Sequence, residues 1–302
     1  MSATKLAILL IFIGATAYIH LRGRVRLGFW RQLTDHSTFM APINCFMYLF
    51  SKVASTPYIP VAQFPELQRL QDNWEAIRVE GEKLYGNGDI KASDSYNDAG
   101  FNSFFKTGWK RFYLKWYDEA HPSAATLCPF TTALLKDIPS VKAAMFAALP
   151  PGATLVRHRD PFAGSLRYHL GLSTPNDDRC FIDVDGERYS WRDGQAVMFD
   201  ETYLHYAENT TEQNRIILFC DIERPLRFAP ARWINRFISR QLIGAAAAPN
   251  QAGDRTGGIN KAFATVQRVR LWGKEIKARS RFQYYALKWA LFGGLFALFL
   301  WA

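Results

Sequence analysis

From Ala153 to Asp221 the sequence breaks into short β-rich runs at roughly ten-residue spacing: 153–158, 165–172, 180–184, 187–191, 196–199 and 215–221. Turn signals separate them, namely Pro161, Gly164, Pro175-Asn176, Asp185-Gly186, Asp193-Gly194 and Glu208-Asn209. Strands this short, joined by turns and not by helices, pair antiparallel and fold as a sandwich, barrel or jelly roll. Asp185-Gly186 between two such runs is the signature of a type I′ hairpin, because both central residues of that turn need positive φ.

Upstream the pattern differs. Residues 66–84 place Leu67, Leu70, Trp74, Ile77 and Leu84 at near-helical spacing among charged residues, which predicts one amphipathic helix packed on the β body. The aromatic stretch 101–117 alternates as a strand does, and 139–149 reads as a short helix. Residues 32–65, punctuated by Pro42, Pro57, Pro60 and Pro65, read as a connector.

The 302-residue chain carries 37 Lys+Arg against 27 Asp+Glu, a net charge of +10 that invites a nucleic-acid reading. The distribution of the charge argues against it. Residues 22–31 hold four arginines and no acid, residues 255–288 hold nine Lys/Arg and one Glu, and the remainder is nearly neutral. Both basic stretches abut the two long apolar runs, 6–19 and 289–302. Each run alone is shorter than the ~20 residues of a spanning helix, and extension to Leu21 and back to Tyr284 brings both near that length. By the positive-inside rule both termini then lie outside and the body faces the cytoplasm, with no nucleic-acid partner. Two alternatives stay open: a cleaved leader with Ala15-Thr16-Ala17 as the cleavage site, and a C-terminal run buried as a core helix. Cys45, Cys128, Cys180 and Cys220 include no C-x-x-C pair and read as reduced thiols, without a zinc framework or disulfides.

Three of the six histidines, His158, His169 and His205, fall in the β region. In His158-Arg159-Asp160 the first and third side chains share one face of a strand. Joined by a distant histidine, here His205, such a pair forms the two-histidine, one-carboxylate triad that suits Fe(II) and leaves coordination positions free for a bidentate 2-oxo acid and O2. The bland reading is a surface turn ending at Pro161. Arg215 weighs against it: a guanidinium opening the apolar run R-I-I-L-F-C-D-I needs an anionic partner, and the distal carboxylate of 2-oxoglutarate is one. His-Arg-Asp also begins the kinase catalytic loop, but Ser165 stands where that loop needs Asn. Asp200 and Glu201 precede His205 and read as supporting groups. His20 reads as an interfacial residue, and His36 and His121 as solvated ones.

The blocks P-G-A-T-L-V-R-H-R-D, S-L-R-Y-H-L-G-L, W-R-D-G-Q-A-V-M-F-D-E-T-Y-L-H and R-I-I-L-F-C-D-I resemble the aspartyl/asparaginyl β-hydroxylase family of Fe(II)/2-oxoglutarate dioxygenases. The resemblance implies a mainly β fold with flanking helices, a double-stranded β-helix (jelly roll, cupin-like) with N- and C-terminal membrane helices. It also implies the cofactors Fe(2+), 2-oxoglutarate and O2. By it His158 and His205 are metal ligands and catalytic residues, Arg167 and His169 contact the oxo acid or the substrate, and Arg215 holds the distal carboxylate. Asp160 departs from the animal peptide hydroxylases of the family, which have a non-ligand there, and is the third ligand and catalytic residue by the triad geometry. A family serine upstream of the first iron histidine is replaced by Ala147. Within the family the anchored form is most similar to bacterial lipid A hydroxylases. That implies hydroxylation of C-2 of a secondary acyl chain of lipid A or a lipopolysaccharide precursor, among membrane phospholipid, at the cytoplasmic face of the bacterial inner membrane. The expected organisation is an anchor over 1–21, a basic connector over 22–65, a dioxygenase domain over 66–228, a basic amphipathic region over 229–283 and a second anchor over 284–302. A peptidyl aspartyl/asparaginyl β-hydroxylase and a non-enzymatic, membrane-tethered jelly-roll binding protein are the alternatives.

Overall fold

The computed structural model describes residues 2–93, 97–117 and 119–301. It opens with helices α1 (Ala3–Leu21), α2 (Phe29–Leu33), α3 (His36–Phe39) and α4 (Ala41–Leu49), then strand β1 (Tyr58–Ile59) and helices α5 (Gln68–Asp72), α6 (Trp74–Gly86) and α7 (Asn102–Phe105). Strands β2 (Lys110–Trp116) and β3 (Glu119–Ala120) precede helices α8 (Pro122–Leu127) and α9 (Pro129–Lys136). Eight strands follow: β4 (Val141–Leu149), β5 (Thr154–His158), β6 (Ser165–Ser173), β7 (Cys180–Val184), β8 (Glu187–Ser190), β9 (Ala196–Phe199), β10 (His205–Asn209) and β11 (Arg215–Glu223). Helices α10 (Ala229–Ile238), α11 (Gly258–Arg279) and α12 (Arg281–Trp301) close the chain.

The strands form a seven-stranded sheet in the order β1-β9-β6-β11-β4-β2-β3 and a four-stranded sheet in the order β5-β10-β7-β8. The named pairs are antiparallel, and from β4 to β11 consecutive strands alternate between the sheets except at the β7–β8 hairpin, which is the jelly-roll arrangement. Period-two alternation divides the large sheet into two faces. On one face Leu166, Tyr168, Leu170, Leu172, Leu218 and Cys220 join Leu70, Ile77 and Leu135 in a core beneath the helices. On the other, Ile217, Phe219 and Met145 meet Ile182, Val184 and Ala207 of the small sheet. The same alternation puts Arg167 and His169 of β6, and Arg215 and Asp221 of β11, between the sheets. Asp221 stands opposite Arg167, and Phe219 opposite His169.

The Asp185-Gly186 hairpin forms as expected, with φ of 56° and 88°. Several upstream expectations are corrected. The 66–84 helix is broken at Asn73 into α5 and α6. The 101–117 stretch is a short helix followed by a strand. Residues 141–149 are a central strand and not a helix: Ala-rich β4 lies between β2 and β11, buried on both faces, so tertiary burial overrides alanine's helix preference. The 32–65 connector contains α3 and α4, and α4 packs Ala41 against Ala15 and Ile19 of α1. Among the described residues one helix, Ala3–Leu21, is long and apolar enough to cross a membrane.

Candidate metal and oxo-acid site

Strands β5 and β10 pair with His158 opposite His205, which brings the two imidazoles to 4.2 Å between ring centroids. After His158 the chain turns, and the Asp160 amide donates to the Glu201 carbonyl at 2.9 Å, holding Asp160 beside both histidines. One candidate ligand atom from each of His158, Asp160 and His205 lies within 4.8 Å of the others. His158 Nδ1 lies 2.7 Å from the Val156 carbonyl, and His205 Nδ1 lies 3.0 Å from the Tyr203 carbonyl. A carbonyl only accepts, so each Nδ1 carries the proton and each Nε2 keeps its lone pair. Burial, with His158 adding to it, lowers His205 to about 3, so its ring is neutral and suited to ligation.

Asp160 Oδ2 accepts from Arg167 Nη2 at 2.6 Å, while Oδ1 lies 3.4 Å from His158 Nε2. Burial alone would raise this carboxyl, but Arg167, His158 and His205 outweigh it and hold the group well below the usual carboxylate range. Arg167 also donates from Nε to Asp221 Oδ1 at 2.9 Å and contacts Glu201. Three carboxylates, two of them buried, thus share one guanidinium. Burial, only partly offset by Arg167, pushes Glu201 well above its ordinary value and raises Asp221, because each also feels the other negative groups.

On the far side of His169 the charge balance reverses. Arg215 is 2% exposed and makes no hydrogen bond or ion pair with a described residue. Its guanidinium lies 4.4 Å from the Trp191 ring centroid, and burial lowers its pKa to about 10. Both ring nitrogens of His169 also lack partners, and burial with the two neighbouring arginines keeps that ring neutral. All six residues singled out from the sequence, His158, Asp160, Arg167, His169, His205 and Arg215, line one cleft between the sheets. Two imidazole nitrogens and one carboxylate oxygen fit Fe(II), and an unpaired buried cation deeper in the same cleft fits the second carboxylate of a dicarboxylic oxo acid. The free volume of the cleft is about 30 Å³, roughly one water.

Comparison with known proteins bears on the family resemblance. The sequence profile described as aspartyl/asparaginyl beta-hydroxylase matches residues 71–225, slightly over half of the chain. The chain belongs to the aspartyl/asparaginyl β-hydroxylase family. The ornithine lipid ester-linked acyl 2-hydroxylase of Rhizobium tropici is 34% identical over 192 residues, 62% of this chain and 66% of that protein. Human aspartate beta-hydroxylase domain-containing protein 2 is 30% identical over 205 residues, 64% of this chain and 54% of that protein. The chain thus spans between half and two thirds of these relatives' lengths. A Pseudomonas putida prolyl-4-hydroxylase structure aligns over 51% of this chain and 87% of that one, with 18% identity and a TM-score of 0.37.

The remaining family positions are equally explicit. Ala147, at the position of the family serine, is buried on β4 opposite Ile217 and offers no polar contact. Asp200 and Glu201 stand behind the ligands. Glu201 accepts from Ser165 Oγ at 2.7 Å, and Asp200 pairs with Arg224 at 2.9 Å and with Arg22 at 2.5 Å. His121 is buried beside Tyr113 and not solvated, a correction that reflects the fold of α8 onto β2. His36 is exposed, but its Nε2 lies 2.7 Å from the Arg159 carbonyl.

Sequence reasoning missed three contributors. Asp221 could have been found, since it lies six residues after Arg215 on one strand and shares its face. Trp191 carried no signal beyond its aromatic character. Arg22 looked like a membrane-flanking charge. It is instead buried, sandwiched at 3.9 Å between the rings of Tyr48 and Tyr203, and it donates to Thr202 at 2.7 Å.

Proposed function

We propose that the chain is an Fe(II)/2-oxoglutarate-dependent dioxygenase that hydroxylates C-2 of an ester-linked acyl chain of a membrane lipid. One observation carries this reading: a His158–Asp160–His205 donor set shares a cleft with Arg215, a buried cation without a hydrogen-bond or ion-pair partner among the described residues. When bound, iron would supply the oxidation of 2-oxoglutarate by O2 to succinate and CO2, with the second oxygen atom passing to the substrate carbon. The protein's part is to hold and position. The two Nδ1–carbonyl bonds fix the imidazoles, Arg167 fixes Asp160, and Arg215 orients the oxo acid by pairing with its distal carboxylate. His169, neutral and unpartnered, is available to donate to the same ligand. Entry of a dicarboxylate requires the lining side chains to move apart, and the bound ligand then displaces water from the reacting region.

The sequence resemblance favours a secondary acyl chain of lipid A as substrate, at the cytoplasmic face of a bacterial inner membrane. The relative named for ornithine lipid favours a second reading, an ester-linked acyl chain of an aminolipid. Helix α1 supports membrane association. Spanning by α12 and an interfacial position for α11, whose last turn carries Lys277 and Arg279, are part of the proposal. The test uses the purified full chain in detergent micelles with Fe(II) and 2-oxoglutarate, offered lipid A, ornithine lipid or an aspartyl peptide. Succinate release stimulated by a lipid, with a 16 Da gain on its acyl chain, is the expected result. Stimulation by the peptide alone would favour the peptidyl hydroxylase, and no release with any acceptor would favour the binding protein.

A further inference from the structure

The side of α1 that does not pack on the body borders an apolar groove of about 860 Å³, within the ~300–1,000 Å³ range of small-molecule sites. Its walls include Leu9, Phe12 and Ala17 of α1, Phe29 and Leu33 of α2, and Phe299 of α12. No Asp, Glu, Lys or Arg lines it, and it follows α1 from Ile8 to Leu21, about 20 Å of helix. That exceeds the ~15 Å depth of one leaflet's hydrocarbon.

The groove has one polar end, formed by His20, Gln32 and Thr38. Gln32 is buried, and its Oε1 accepts from Arg159 Nη1 at 3.2 Å; the same nitrogen donates to the Ile19 carbonyl at 3.2 Å. Arg159 stands between His158 and Asp160, so the polar end of the groove and the metal-ligand cleft lie on opposite faces of one three-residue segment. Exposed Arg31 adjoins Gln32 in α2 and exposed Arg26 lies in the α1–α2 connection, and neither has an ion-pair partner among the described residues.

We propose that this groove binds the tail of an acyl chain drawn from the bilayer, with the lipid's anionic head group at Arg26 and Arg31. The inference rests on the acyl-hydroxylase reading and deepens it. A cavity walled by a membrane-crossing helix and free of charge takes hydrocarbon, and the cationic rim is complementary to a phosphate or carboxylate. With the tail held along α1, the ester end of the chain lies at the polar end of the groove, where Gln32 bonds Arg159 of the segment that also carries His158 and Asp160.

The test uses the full chain in phosphatylethanolamine/phosphatidylglycerol vesicles doped with phosphatidylglycerol bearing a terminal acyl diazirine, and separately with lipid A. Ala17→Trp fills the groove, while Leu10→Trp changes the face of α1 outside it. Photolabel is expected on Leu9 and Phe12 in the wild type and in Leu10→Trp, and should fall at least fivefold in Ala17→Trp. In lipid-stimulated succinate release, Ala17→Trp should raise the lipid KM about tenfold, with iron content and melting midpoint as in the wild type and Leu10→Trp unchanged. Equal labelling of both faces of α1, or an unchanged KM in folded Ala17→Trp, overturns the groove. Should the wild type show no lipid-stimulated release, the acyl-hydroxylase reading falls, and the labelling pattern still decides whether the groove holds a chain.

Discussion

Replacing Arg215 by Met should stabilise the ligand-free protein while removing its response to 2-oxoglutarate. The guanidinium is held between the sheets without an anionic partner, and burial lowers its pKa from 12.5 to about 10. A change of that size corresponds to about 3 kcal/mol of unfavourable environment for the charged form. Stacking on Trp191 returns about 1–2 kcal/mol. A methionine of similar length is free of the desolvation cost and gives up the stacking, for a net gain of about 1–2 kcal/mol and a melting midpoint higher by roughly 3–6 °C. Wild-type protein with 2-oxoglutarate at a hundred times its Kd should gain about 2.7 kcal/mol by mass action, and the variant should gain nothing. The assay is thermal unfolding of the full chain in detergent, followed by tryptophan emission with Fe(II) under argon, with and without 2-oxoglutarate. A lower ligand-free midpoint in Arg215→Met, or a preserved shift with 2-oxoglutarate, would refute the assignment of Arg215 as an unpaired cation awaiting a carboxylate.

His158→Ala removes one of three donors and should abolish retention of iron after desalting, read by elemental analysis, with less than one hundredth of wild-type succinate release. Asp200→Asn breaks a buried pair with Arg22 and Arg224 and should cost about 3–5 kcal/mol in chemical denaturation. Burial would raise Asp200, but those two arginines overcome it and depress the folded value. Its contribution is therefore full above the unfolded carboxyl pKa, about 3.9, and is lost as pH falls through the lower folded value. The wild type should lose stability over that acid range more steeply than Asp200→Asn. Gly171→Ala would put a Cβ 2.0 Å from the Arg192 carbonyl oxygen; because backbone must yield, the expected loss is at least ~1–3 kcal/mol, measured by the same denaturation.

The sequence by itself determined the β body, because a period-two pattern punctuated by turn residues admits few foldings. It also determined which side chains share a face: Arg167 with His169, and Arg215 with Asp221. Alternation is a local rule and survives any tertiary arrangement. His158 and Asp160 were legible for the same reason, and His205 was legible through the family block that contains it. Tertiary structure decided the rest. β4 is a strand because it is sandwiched between β2 and β11, a condition its alanines do not state. Which cation stays free depends on which carboxylates the fold brings near: three surround Arg167, and among the described residues none reaches Arg215. Arg22 shows the limit most clearly, for next to an apolar run it has the pattern of a membrane-flanking charge. Only the packing of α1 and α4 against the turn before His205 buries it on Asp200, and burial is a property of the assembled body that charge patterning along the chain does not carry.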